Sequence, residues 1–211
     1  MADKNSQVIL RELTDGDFPV VSGIVARLWY GHLSGAWALV CGAAELAHHL
    51  ARQTHARVAV DEQGRVLGCV LARYGMPDYI DVEPWERRFE ASLDAGRAAT
   101  DFEIGEELAV CDAEDAIAAA TSSRPEFPKD SAIELLVVDR DAQGSGIGRR
   151  LFNDGLSYLR WCGATHYYLI TDDSCDWSFY EHEGLERAES HLIEASNGAE
   201  RTECFSYVGK L

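Results

Sequence analysis

The stretch ELLVVDRDAQGSGIGRRLF, Glu134 to Phe152, decides how this chain is read. An apolar run ends at Asp139. A polar turn follows, and glycines stand at 144, 146 and 148 ahead of two arginines and an apolar-periodic segment. Strand, bare glycine loop and helix start, in that order, make a cradle for phosphate. Successive backbone N–H groups in such a loop form a concavity for an anion. The helix N-terminus adds the positive end of its dipole. Glycine lets the backbone approach the ligand because no Cβ intervenes.

The spacing separates four kinds of glycine loop. A dinucleotide fingerprint needs GxGxxG, and here the pattern is GxGxG. A nucleotide P-loop needs a Lys-Ser or Lys-Thr after its last glycine, and Arg149 and Arg150 follow instead. An S-adenosylmethionine-dependent methyltransferase carries GxGxG after its first strand, with most of its sheet still to come. This chain ends at Leu211 in what reads as a hairpin, which makes the methyltransferase the weaker alternative.

The fourth reading draws on a second motif. Downstream lies DDSCDWSFYEHEGLERAE, in which Phe179-Tyr180-Glu181 precedes Gly184-Leu185. Gln143-x-x-Gly146-x-Gly148, after a strand ending in two valines, together with this Tyr helix, resembles the GNAT superfamily of N-acetyltransferases. The resemblance implies an α/β (α+β) fold with a central, splayed, mixed sheet flanked by helices. The order of elements agrees: strand, two helices, hairpin, long strand, glycine loop, helix, strand, Tyr helix, hairpin.

The rest of the chain supplies those elements. Gln7 to Leu13 reads as a strand, and Thr14 and Asp15 as a helix cap. Val20, Val21, Ile24, Val25 and Leu28 recur at a helical period, and Ala43 to Ala51 reads as a second helix. Val58 and Val60, DEQGR and Val66 to Tyr74 form a hairpin turned at Gly64. AIELLVV is apolar nearly throughout, as expected of a strand covered on both faces. Gly146 to Cys162 is a helix, HYYLIT a strand, and the last two strands flank SNGAE.

Residues Gly75 to Asp130 differ in character. They hold 15 acids against 5 Lys or Arg, so they carry -10 of the net charge of -17. Two helical patterns lie within them, Trp85 to Leu93 behind Pro84, and Leu108 to Ala120. This segment reads as an acidic helical insertion before the central strand of one domain spanning 1–211, outside the resemblance.

The charge argues against nucleic acid and anionic membranes as partners and suits a cationic one. No run of about 18 apolar residues suggests a membrane span. The N-terminus has no apolar signal region, so the chain reads as cytoplasmic. The six cysteines form no CxxC pair and read as reduced, mostly packed thiols.

The resemblance implies acetyl-CoA as cosubstrate and an amine as acceptor, with a homodimer common in the family. It places the donor's pyrophosphate at Gln143, Gly144, Ser145, Gly146, Ile147, Gly148 and Arg149. Its pantetheine arm would lie along the backbone of Leu136, Val137 and Val138, as an added strand. A backbone N–H there would hold the thioester oxyanion. Asp173 and Asp176 occupy places where family members carry Asn, and an ionised acid accepts but does not donate. Tyr180 is the implied acid for the leaving thiolate, since a phenol near pKa 10 matches a thiol. Glu134, the charge in an apolar strand, is the candidate base, with burial expected to raise its pKa. Tyr168 stands where other members place a base, and Glu83 or Glu103 of the insertion are further candidates. No metal is expected: Glu45, His48 and His49 lack the HExxH pattern and read as a solvated helix face. Cys175, Trp85 and Trp177 read as packing residues. A non-catalytic acyl-CoA-binding module is the other alternative.

Overall fold

The computed structural model describes residues 8–33, 35–75, 81–97, 104–173, 175, 177–194 and 201–211. The strands are β1 (Ile9–Glu12), β2 (His55–Val60), β3 (Val66–Tyr74), β4 (Ser131–Val138), β5 (His166–Asp172), β6 (Glu186–Glu194) and β7 (Arg201–Lys210). The helices are α1 (Phe18–Trp29), α2 (Gly35–Leu50), α3 (Glu83–Arg97), α4 (Ile104–Ser122), α5 (Ile147–Cys162) and α6 (Ser178–His182). The sheet order is β1-β2-β3-β4-β5-β7-β6. All described pairings are antiparallel except β4–β5. The glycine loop follows the fourth strand of this sheet, which the methyltransferase alternative does not allow.

Strand β4 sits at the centre because its alternating side chains are apolar on both faces. Leu135 and Val137 join Cys69, Leu71, Val21, Ile24 and Leu46 in a core under α1 and α2. Ile133 joins Val70, Ala72, Leu151, Phe152 and Leu159 in a second core under α5. A third, smaller cluster of Phe127, Ala132 and Tyr168 has Ala118 of α4 packed against it. The acidic segment is therefore not peripheral: α4 packs on β5, β6 and β7, and α3 packs on α2.

Turn chemistry follows the sequence closely. Gly64 turns the β2–β3 hairpin at φ 78, and Gly184 closes α6 at φ 81, both in the left-handed region that favours glycine. Helix α2 begins earlier than its apolar spacing predicts, at Gly35 rather than Ala43. Thr14 and Asp17, rather than Asp15, form the capping box of the short turn before α1, and Asp17 pairs with Arg11 at 2.7 Å. The SNGAE turn lies outside the described residues.

Helices α1 and α2 approach each other at Gly42. A Cβ there would stand 2.5 Å from the Ser22 carbonyl oxygen and 2.7 Å from the Ala26 nitrogen, both backbone atoms. Alanine is the better helix former, but the backbone of α1 cannot yield as a side chain can. Gly42→Ala is expected to lower the free energy of unfolding by about 1–3 kcal/mol. Urea denaturation checks it, and unchanged or raised stability would refute the close approach.

Candidate active site

The pairing of β4 with β5 is short. It holds at Ala132↔Tyr168 and Ile133↔Leu169, and then the strands part. Beyond that point β4 stays on β3 through Val138, and β5 stays on β7 through Asp172. A bulge marks the place: Leu71 faces Leu135 and Ala72 faces Ile133, so Glu134 is an extra residue. A bulge bends its strand and increases its twist. The result is a V-shaped gap with an unpaired β4 edge.

Which residues present backbone to that gap follows from alternation along the strand. The Asp139 N–H donates to the Leu67 carbonyl at 2.8 Å, so Asp139 faces β3. Val137 then faces β3 as well, and a Cβ on Gly68 would stand 2.6 Å from its carbonyl oxygen. Leu136 and Val138 turn their N–H and C=O toward the gap. This corrects the expectation for Val137, whose backbone belongs to the β3 ladder and whose side chain is buried in the core.

The glycine loop has the predicted form. Gly144 and Gly146 have φ 71 and φ 84, and nothing stands within 4 Å of a Cβ built at either. Gly146 is the N-cap of α5 and no side chain caps the helix. The first amides of α5, at Ile147, Gly148 and Arg149, therefore have no acceptor within the helix. Gly148 lies against Val138, with a Cβ 3.5 Å from its side chain. The loop's own side chains turn inward. Gln143 Nε2 donates to the Val138 carbonyl at 3.2 Å, and the Ser145 hydroxyl donates to the Ala142 carbonyl. Arg149 pairs with Glu183 just beyond α6, and Arg150 donates to the Val8 carbonyl at 2.8 Å. These side chains shape the cradle and leave its backbone amides to face outward.

Tyr180 lies on α6 on the same side of the sheet as α5. Its ring packs with Phe152 at 6.2 Å, Phe179 at 5.4 Å and Tyr207 at 5.8 Å between centroids. Tyr207 donates to Glu181 at 3.0 Å and helps fix α6. The Asp173 N–H donates to the Glu203 carbonyl at 3.1 Å, extending the β5–β7 pairing. Asp176 and Glu103 lie outside the described residues, and Glu83 pairs with Arg87 on the surface.

On the opposite face, under α2 and α4, lies a buried polar cluster that the sequence reading missed. Arg73 of β3 donates to Glu134 at 2.9 Å and to the Tyr168 hydroxyl at 2.8 Å, and it also pairs with Asp130. Tyr168 donates to Asp130 at 2.8 Å. His49 stands 3.1 Å from Glu45 and 3.9 Å from Glu134, while Tyr30 donates to Glu45 at 3.0 Å. Arg52 pairs with Asp115. Glu114 of α4 completes the cluster, with a ligand atom each from Glu45, His49 and Glu114 lying within 4.8 Å of one another.

Two expectations are corrected here. Glu45, His48 and His49 are 6%, 7% and 8% exposed, so they are not a solvated helix face. Glu134 is buried, but its carboxyl is held below the ordinary range: burial pushes it up, and Arg73 and His49 outweigh that. It is an ionised, arginine-bonded carboxylate. A signal for the buried face was present: Ala38, Cys41, Glu45 and His49 recur at three- and four-residue intervals, so the polar pair continues an apolar stripe.

Electrostatics distinguish the members. Burial lowers the proton affinity of His49, but Glu134 and Glu45 raise it more, to a pKa of about 10. Burial and the charge of His49 hold His48 down at about 4. His49 in this state is a cation held among carboxylates, and a metal would have to displace its proton to bind. Burial pushes the Cys175 thiol up to about 11, so it is no ready nucleophile. Trp85 stacks on Phe18 at 5.9 Å beneath Arg88, joining α3 to α1, and Trp177 is partly exposed.

The comparisons agree with this geometry. The family model described as "Acetyltransferase (GNAT) family" matches residues 76–184, just over half of the chain. The match runs through the acidic segment, which was expected to stand outside the resemblance. No protein with a curated description matches the chain in sequence. Among solved structures, a Drosophila melanogaster polyamine N-acetyltransferase that forms N-acetylagmatine is similar at 15% identity and TM-score 0.56, covering 97% of this chain and 100% of that one. An agmatine N-acetyltransferase variant in its apo form is similar at 14% identity and TM-score 0.54, covering 97% and 99%. The NatC complex bound to Gag peptide and CoA contributes a chain at 12% identity and TM-score 0.52, covering 97% and 99%. At these identities the likeness is one of fold.

The His49 pair sets a pH dependence with a definite sign. Its folded pKa lies above the ordinary 6.5, so its stabilisation is complete below about 6.5 and is lost as pH rises through about 10. The gap in thermal midpoint between the wild type and His49→Gln should shrink across that window. Melting curves over the range test it, and a gap that widens toward alkaline pH would contradict the pairing.

Proposed function

The chain belongs to the GNAT family of acetyltransferases, and on that premise we propose that it transfers the acetyl group of acetyl-CoA to a primary amine by direct attack. The observation that carries this reading is the gap where β4 leaves β5, with an uncapped glycine loop at its mouth and Tyr180 on the same side.

The residues fit the donor. The outward amides of 144–149 and the α5 N-terminus suit a diphosphate. The Leu136 backbone suits the amides of a pantetheine arm, which would lie in the gap as a strand lies beside its neighbour. An N–H directed at the thioester oxygen would stabilise the tetrahedral oxyanion. The amine nitrogen attacks the carbonyl carbon, the C–N bond forms and the C–S bond breaks. Tyr180 gives its proton to the departing thiolate.

The acceptor is a small cation in this reading. The acidic character of residues 75–130 supports it. No described helix is long and apolar enough to cross a membrane. A cytoplasmic enzyme, and the homodimer common in the family, are part of the same proposal.

The test is acetyl-CoA turnover over a panel of agmatine, spermidine, glucosamine and a short peptide with a free N-terminus. At least one amine should be acetylated, and binding of CoA without any turnover would favour the non-catalytic module. Tyr180→Phe should lower kcat by about 100-fold with acetyl-CoA affinity retained. An unchanged kcat would remove Tyr180 from the chemistry. Gly146→Val forces a side chain into the left-handed region and should weaken CoA binding, measured by calorimetry.

A further inference from the structure

Glu114 is the acid of the buried cluster that carries an unpartnered oxygen, beside the unpartnered ring atoms His48 Nε2 and His49 Nδ1. Its Oε2 atom is shielded from solvent and has no hydrogen-bond partner. Its fellow acids are each satisfied: Glu45 by His49 and Tyr30, Glu134 and Asp130 by Arg73, Asp115 by Arg52. Among the described residues no ion pair to Glu114 is formed; the His49 ring offers an atom within 4.8 Å of it. A buried carboxylate oxygen left without a partner costs free energy, so stability alone does not explain it.

Its position supplies the purpose. His49 joins Glu114 to Glu134, the bulged residue at which β4 and β5 begin to part. The cluster therefore lies beside the opening of the gap, on the α2 and α4 face, while the glycine loop and Tyr180 lie on the α5 face. A donor held on one face leaves the other for the acceptor. We propose that Glu114 is a catalytic residue that takes the proton from the acceptor's primary ammonium group. The inference rests on the acetyl-transfer reading above and assigns a base to it.

The proton balance closes. The ammonium gives one proton to the Glu114 carboxylate and becomes a neutral amine. The nitrogen lone pair forms the C–N bond, and the C–S electron pair leaves on sulfur, which takes the Tyr180 proton. The second nitrogen proton returns to the tyrosinate, and Glu114 releases its own to solvent. One proton is produced per amide formed.

The surroundings suit the task. Burial and the charges of Glu45 and Glu134 push Glu114 up to about 8, against the pull of His49 and Arg52. The charged and titratable groups that act on it are Glu45, His49 and Arg52 of α2, Glu134 of β4 and Cys204 of β7. His48 stays neutral, and the pull of His49, itself held by Glu45, is outweighed by burial and by Glu45 and Glu134. A base near neutrality balances availability against strength.

The full-length protein tests this with acetyl-CoA and the best amine of the panel. The wild-type kcat/KM should rise with pH to a plateau, with a midpoint near about 8. Glu114→Gln keeps the shape and removes the charge. It should lose about 100-fold in kcat/KM together with the rising limb, with calorimetric acetyl-CoA affinity unchanged. Glu114→Asp should keep the limb and part of the rate. A Glu114→Gln enzyme with the wild-type rate and profile would overturn the inference. So would a flat wild-type profile, which decides the matter even if the Gln variant does not fold. Activity abolished by a chelator and restored by zinc or manganese would reassign Glu45, His49 and Glu114 to metal binding. Binding of acetyl-CoA with no amine acetylated by the wild type would instead sink the acetyl-transfer reading itself.

Discussion

The fold depends on one irregularity, the extra residue at Glu134. Without it β4 would run on beside β5 and every backbone group would be paired. With it, the strand turns away after Ile133 while keeping its ladder to β3 through Val138. An unpaired edge in the middle of a sheet is costly unless something is meant to lie along it. The bulge also places Glu134 and Leu135 on the same face, one bonded to Arg73 and the other in the core. Arg73 thus anchors the bend electrostatically where apolar packing alone could not.

Much of this was legible in the chain. The glycine loop, Gly64 and Gly184 could be read because positive φ leaves a mark on residue choice. Tyr180 could be read because its neighbours form a motif. The orientation of Val137 could not: backbone alternation depends on which neighbour a strand keeps, and that is a tertiary fact. The Glu45 and His49 face was misread for a related reason. Polar residues on a helix point to solvent by default, and only the partners on β4 and α4 reverse this. Those partners lie far along the sequence, at Glu134 and Glu114. Burial also had opposite outcomes for the two acids. Arg73 keeps Glu134 ionised, while Glu114 lacks such a neighbour, and no local pattern distinguishes them.

The acidic segment illustrates how composition can mislead about architecture. Its charge set it apart as a helical insertion outside the family resemblance. Instead α4 roofs β5, β6 and β7, and Thr121 shares a hydrogen bond of 2.8 Å with Ser206 of β7. Its surface is solvated acid, yet its inner face carries Ala113, Ile117 and Thr121 into the core. Segment charge describes the outside of a helix, and packing is decided by the inside.

The inward turn of Gln143 and Ser145 has a consequence for selectivity. Gln143 is engaged by the Val138 carbonyl at the end of β4 and Ser145 by the Ala142 carbonyl, which leaves the loop's main-chain amides as its donors. In the proposed reaction such a socket would recognise the shape and charge of a diphosphate and would be indifferent to what the thioester carries. Discrimination between short and long acyl chains therefore falls to the width of the cleft between the diverging strands. On that reading the width would follow from the bulge at Glu134, which Arg73 holds from the other face.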